Sequence, residues 1–182
     1  LAQQVVSDPR LDPWLVLELL GHLIDKSLVI ADGAPEPRYH LLETTRAFAL
    51  EQLAAAGETE AMLRRHAQAV RSLMATLDAD RGHVLPAEHG GHGSAMHELG
   101  NLRAALDWAS SAAGERTLAY DLLGKSWTVL MVNGQTRECV QRMRQLWPPP
   151  ADLPAQIEAG FCLAFARLNK DAGRTEHRQA AR

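Results

Sequence analysis

Apolar residues recur every three or four positions along most of this chain, and one short stretch breaks the rhythm. In "LDPWLVLELLGHLIDK", Asp12 offers an N-cap and Pro13 a first helical residue, and Leu15, Leu19, Leu20, Leu23 and Ile24 fall on one predicted helical stripe. "SLVIADGAPEPRYHLL" then reads as a hairpin: a short apolar strand, a turn rich in Asp, Gly and Pro, and a return strand. From Glu43 the period changes to that of a helix: Leu42, Thr45, Ala49, Leu53 and Ala56 share a side that Phe48 widens, and Gly57 stops it. Strand and helix follow one another with no Gly or Pro between them.

The helical period then dominates. One helix is predicted from about Thr59 to Leu77, with Leu63, His66, Val70, Leu73 and Leu77 on one side. "DADRGHVLPAEHGGHGS" loses all periodicity and predicts a loop. Beyond it, Leu102, Ala105, Leu106 and Ala109 form a stripe, residues 116–132 an apolar helix closed by Asn133-Gly134, and "TRECVQRMRQLW" a helix turning Cys139, Val140, Met143, Leu146 and Trp147 inward. Pro148, Pro149 and Pro150 end that helix, and the next begins near Pro154 with Ile157, Phe161, Phe165 and Leu168.

Composition narrows the classes. With 182 residues, 46% of them hydrophobic, the chain can bury one real core or two small ones. A formal charge of -3 gives no general attraction to nucleic acid or anionic membrane. Cys139 and Cys162 lack a CxxC spacing and read as small buried apolar groups of a reduced cytoplasmic protein. No apolar run approaches the roughly 20 residues of a membrane span. The start at Leu1 and the close in "RTEHRQAAR" read as a piece of a longer protein.

"LLGHLIDKSLV", the hairpin, "RYHLLETTRAFALEQLAAAGE", "LRRHA" and "NLRAALDWA" together resemble large bacterial transcriptional regulators of the LuxR and SARP types. These are signal-transduction ATPases with numerous domains (STAND proteins), and the likeness is dense over residues 19–73 and 98–109. It implies a mainly α fold: an N-terminal winged-helix remnant with one β-hairpin over 1–57, then antiparallel tetratricopeptide-like helical repeats over 58–182 with a His/Gly-rich loop at about 79–93. The hairpin would be the wing, and the junction of Leu42, Glu43, Arg46 and Phe48 its seat on the following helix. Leu42 and Phe48 are expected to be buried there, and Glu43 to cap the helix. In related plant and animal STAND proteins this join reads Met-His-Asp and its histidine meets the nucleotide. Here Leu41, Leu42 and Glu43 stand in those places, with His40 two residues before Leu42. Leu42 cannot donate a hydrogen bond to a phosphate.

Candidate chemistry is sparse. No G-x-x-x-x-G-K-[ST] loop is present, so no cofactor is expected in this segment, and ATP or ADP would bind an upstream domain of the parent. No nucleophile elbow or strand scaffold supports catalysis, and no enzymatic activity is expected. Arg38, Arg46, Arg64, Arg65 and Arg71 are the only basic concentration, and DNA contact by this segment is not expected. Trp14, Trp108, Trp127 and Trp147 lie in helical apolar patterns and read as packing residues.

The expected role is therefore a regulatory, coupling and protein-interaction segment, with other domains of the parent or a second copy as partners. Ile157, Phe161, Phe165 and Leu168 form its candidate partner face, because a cut repeat array leaves its last stripe uncovered. The alternative is a metal- or small-ligand-binding helical domain using His83, His89, His92 and His97.

Overall fold

A computed structural model of the chain describes residues 1–9, 11–33, 38–81 and 96–180, with side-chain surroundings left out at 78–81 and 171–180. The fold is mainly helical with one two-stranded antiparallel hairpin, as the periodicity predicts. The chain forms two compact units, Leu1–Ala69 and Val70–Arg182. The division falls inside a helix, where the sequence reading had placed it at 57/58.

In the first unit a short α1 (Ala2–Val6) precedes α2 (Pro13–Asp25). Asp12 caps α2 as its sequence suggests: one carboxylate oxygen accepts the N–H groups of Trp14 at 2.8 Å and Leu15 at 3.0 Å. The helix ends where Ser27 takes a left-handed φ of 57°, which lets the Ser27 N–H reach Ile24 O and the Leu28 N–H reach Leu23 O. Those paired bonds satisfy two carbonyls that the helix would otherwise leave open.

The chain then enters the hairpin, β1 (Val29–Ala31) against β2 (Tyr39–Leu41), in the register Val29↔Leu41, Ile30↔His40 and Ala31↔Tyr39. Asp32 secures its open end, since its carboxylate accepts the Arg38 N–H at 2.7 Å and its own N–H donates to the Arg38 carbonyl. Leu42 is the only residue between β2 and α3 (Glu43–Ala55). Its backbone stays extended while its carbonyl accepts the first helical bond, from Arg46 at 2.8 Å. One residue can therefore serve as strand end and helix cap together, and the handover needs no loop. Gly57, at φ 71°, closes α3 with the bond pair seen at Ser27.

The buried apolar set of this unit is small: Val16, Val29, Ala67 and Ala69. The predicted stripe on α2 is only partly right. Leu15, Leu20 and Ile24 are half-buried, Val16 is the fully buried residue, and Leu19 and Leu23 face outward. Trp14, expected in packing, is 80% exposed. Apolar residues stand on every side of α2, so periodicity alone could not select the covered side.

Helix α4 (Thr59–Arg81) spans the division between the units. Its buried residues in the second unit are Val70 and Met74. Helices α5 (Leu99–Ala109), α6 (Arg116–Val132), α7 (Thr136–Leu146) and α8 (Ala155–Ala180) follow. The predicted stripe of α5 is buried as drawn, at Leu102, Ala105, Leu106 and Ala109, and that of α7 is buried at Cys139, Val140, Met143 and Leu146 but not at Trp147. Burial pushes the Cys139 thiol up to about 12, which keeps it protonated and inert. Among the described residues no strand follows the hairpin.

Helix α6 is the centre of this unit, in contact with α5, α7 and α8. Gly124 permits the closest approach. A Cβ there would lie 3.1 Å from the Phe161 nitrogen and 3.2 Å from the Gly160 carbonyl carbon, so α6 and α8 meet backbone to backbone. Tyr120 packs edge-on against Phe161 with ring centroids 4.9 Å apart, and its hydroxyl donates to the Leu146 carbonyl at 2.6 Å. A phenol thus satisfies an open carbonyl at the end of α7 while its ring fills the core.

Candidate interaction surfaces

The hairpin hands over directly to α3, but the side chains at that join do not lie where the sequence predicts. Leu42 is 51% exposed and Phe48 is 62% exposed, so neither is buried. With a two-stranded hairpin of three residues per strand, this unit has too little chain to cover both faces of α3. Glu43 is not a cap either. The cap position belongs to Leu42, whose side chain cannot accept a bond, and Glu43 is the first helical residue, paired with Arg46 at 3.7 Å. Its charge still sits in the first turn, where a carboxylate is favoured. Both partners are well exposed, so the pair adds little stability. Leu28, Ile30, Tyr39, Leu41 and Leu50 are also exposed, which makes the first unit rich in uncovered apolar side chains.

The stripe on α8 is corrected in the opposite sense. Phe161 and Leu168 are fully buried, and Ile157 and Phe165 are half-buried. The spacing correctly put these residues on one side, but that side packs backward on α6 rather than facing outward. They form core and not a free partner face. Phe165 also stacks on Trp147 at 4.8 Å, and Trp147, expected to point inward, is 48% exposed. Arg167 lies over the Trp127 ring at 5.6 Å.

His83, His89 and His92, with most of the predicted loop, lie outside the described residues. His97 is exposed just before α5. Among the described residues no group of three or more His, Cys, Asp or Glu side chains is arranged to hold a metal. Among them also, no helix is long and apolar enough to cross a membrane.

Two charged clusters escaped the sequence reading. In the first, the carboxylate of Asp121, almost wholly buried on α6, pairs with Lys125 one turn on and with Arg71 of α4 at 2.8 Å. In the second, the Arg103 guanidinium of α5 makes a forked contact with Glu138 of α7, its Nε at 3.1 and 3.0 Å and its Nη2 at 2.6 Å, and also reaches Gln135 at 2.9 Å. Arg142 joins Glu138 at 3.1 Å to Asp107 at 2.7 Å. The result is an alternating ladder, Arg103, Glu138, Arg142, Asp107, that ties α5 to α7 in parallel. The Glu138–Arg142 spacing of four was visible in the sequence. The link to α5 was not, because it needs the helix register.

The Arg103 hydrogen bond, with help from Arg142, holds the Glu138 carboxyl below its ordinary value of 4.5 despite partial burial. A depressed carboxyl stabilises the fold above its unfolded value, and the contribution is lost as pH falls below about 4.5 and through the folded value. Glu138→Gln should accordingly cost about 1.5–3 kcal/mol at pH 7, the range for hydrogen bonds to charged groups. Urea titrations should show that difference shrinking steadily below pH 4.5 and vanishing in stronger acid. A gap that stays constant across that window would show that Glu138 stabilises through shape rather than charge.

Comparison with known proteins finds relatives over part of the chain. Over 108 residues, 58% of this chain, it is 41% identical to a protein of Mycobacterium tuberculosis (strain ATCC 25618 / H37Rv) that carries the provisional name HTH-type transcriptional regulator. A protein of Mycobacterium bovis with the same provisional name matches with the same identity and extent. The match covers 12% of each of those proteins, so the chain spans a small part of the relatives it resembles. No family profile matches the chain. No solved structure matches it.

Proposed function

We propose that this chain is a non-catalytic coupling and protein-interaction segment of a STAND-type transcriptional regulator. Its similarity to two proteins named as HTH-type transcriptional regulators supports the regulatory part of that reading. The observation that carries the interaction part is the apolar surface of the first unit. Trp14, Leu41, Leu42 and Phe48 are exposed on α2, the hairpin and α3, although side chains of that kind gain by burial. In this reading residues 1–57 are the winged-helix portion and the later helices are tetratricopeptide-like. ATP or ADP binds in another domain of the cytoplasmic parent, and that parent's domains, or a second copy, cover the apolar surface.

Two measurements on the chain test this. Calorimetry should give no ATP or ADP binding, and micromolar affinity would overturn the non-catalytic coupling role. Sedimentation should show concentration-dependent self-association that Trp14→Glu with Phe48→Glu abolishes. A monomer at all concentrations, or association indifferent to both substitutions, would rule out a second copy as what covers this surface.

A further inference from the structure

Helix α7 has a polar side that no side-chain contact among the described residues uses. Arg137, Gln141, Arg144 and Gln145 are all exposed, at spacings that keep them together on one side of a helix. Their neighbours Arg103 and Arg142 are neutralised by Glu138 and Asp107. Among the described residues, Arg137 and Arg144 have no such partner. One turn beyond Arg144 stands Trp147, half exposed, with one face held by its stack on Phe165. The same helix thus carries two guanidinium groups without a partner among the described residues and ends at an aromatic ring whose orientation is already set.

We propose that this side of α7 docks an acidic protein segment, with carboxylates two helical turns apart meeting Arg137 and Arg144 and an apolar residue resting on Trp147. The arginines are seven positions apart, about 10 Å along the axis, which matches carboxylates at the same interval on a partner helix. Arginine and tryptophan are the residue types that dominate protein interfaces, and an aromatic ring ordered beforehand loses little freedom on binding. Nucleic acid is the poorer fit, because a chain of net charge -3 repels an extended polyanion and two arginines neutralise few phosphates. This surface belongs to the second unit, and the proposal stands or falls separately from the proposed function.

The test is fluorescence anisotropy at low salt with a labelled alanine-rich helical peptide. The peptide carries glutamates at the Arg137–Arg144 spacing and a leucine one turn further. A peptide of the same composition in scrambled order and a short DNA duplex serve as comparisons. The ordered peptide should bind more tightly than both, weakening as salt rises. Arg137→Glu with Arg144→Glu, at exposed positions that leave the fold intact by circular dichroism, should reduce its affinity about tenfold. Trp147→Ala should reduce it separately. No binding of the ordered peptide, equal binding of the scrambled one, tighter binding of DNA, or indifference to the double charge reversal would each overturn the proposal.

Discussion

Replacing Phe161 by alanine should cost about 3–5 kcal/mol, the range for deleting a fully buried aromatic ring. Phe161 has no exposed surface, and its ring sits between Tyr120, edge-on at 4.9 Å, and Phe165, parallel at 6.3 Å. Alanine removes both aromatic contacts at once. The surrounding helices cannot close the gap, because the backbones of α6 and α8 already touch at Gly124 and cannot move nearer. Truncation of Leu163 on the same helix, which is 53% exposed, is the control and should be nearly silent. Thermal or urea unfolding of the two variants decides the matter. Equal destabilisation would mean that the α6–α8 interface is not where this unit keeps its core.

A second large effect is expected at Gly114, where a methyl group has nowhere to go. A Cβ there would lie 1.9 Å from the Trp108 carbonyl oxygen and 2.8 Å from Ala109 backbone atoms. That oxygen is already committed, accepting the Ser111 N–H at 3.0 Å and the Ser111 hydroxyl at 2.7 Å. Relief therefore requires the turn between α5 and α6 to open and break those bonds. Gly114→Ala should cost about 3 kcal/mol, at the upper end for overpacking a tight site, and lower the thermal midpoint by roughly 6–12 °C. Gly57→Ala makes a useful contrast, since a Cβ there meets nothing and the strain comes only from its φ of 71°. An unchanged midpoint for Gly114→Ala would show that the turn can relax freely.

Much of this architecture could be read from residue order alone, because the signals involved are local. Asp12-Pro13 starts a helix wherever it precedes an apolar run, Gly57 and Gly134 stop one, and the hairpin turn announces itself by composition. The stripes on α5 and α7 were likewise legible, since a strongly two-sided helix has only one side that can face a core. What failed was the step from sharing a side to being covered. Leu42 and Phe48 are apolar and correctly spaced, yet exposed, because the first unit holds too few elements to cover them. Phe161 and Leu168 failed in the opposite way. Their stripe was real, but the sequence does not say which neighbour a stripe meets, and α6 proved to be that neighbour. Trp147 illustrates the limit once more: one of its faces packs and the other does not, and a binary pattern cannot express a half-covered ring.

The charge ladder between α5 and α7 works as a vernier. Arg103 pairs with Glu138 and Asp107 with Arg142, both at a separation of 35 residues. If α7 slid by one turn in one direction, Arg103 would face Arg142 and Asp107 would face the apolar Leu146. In the other direction Asp107 would face Glu138, and Arg103 would stand opposite Gly134 with nothing to pair with. Each slip replaces two attractions with one repulsion and one vacancy. The ladder is partly buried at Glu138 and Arg142 and more open at Arg103 and Asp107. Its alternation penalises every neighbouring alignment, so the ladder selects where two parallel helices settle as well as how firmly they stay.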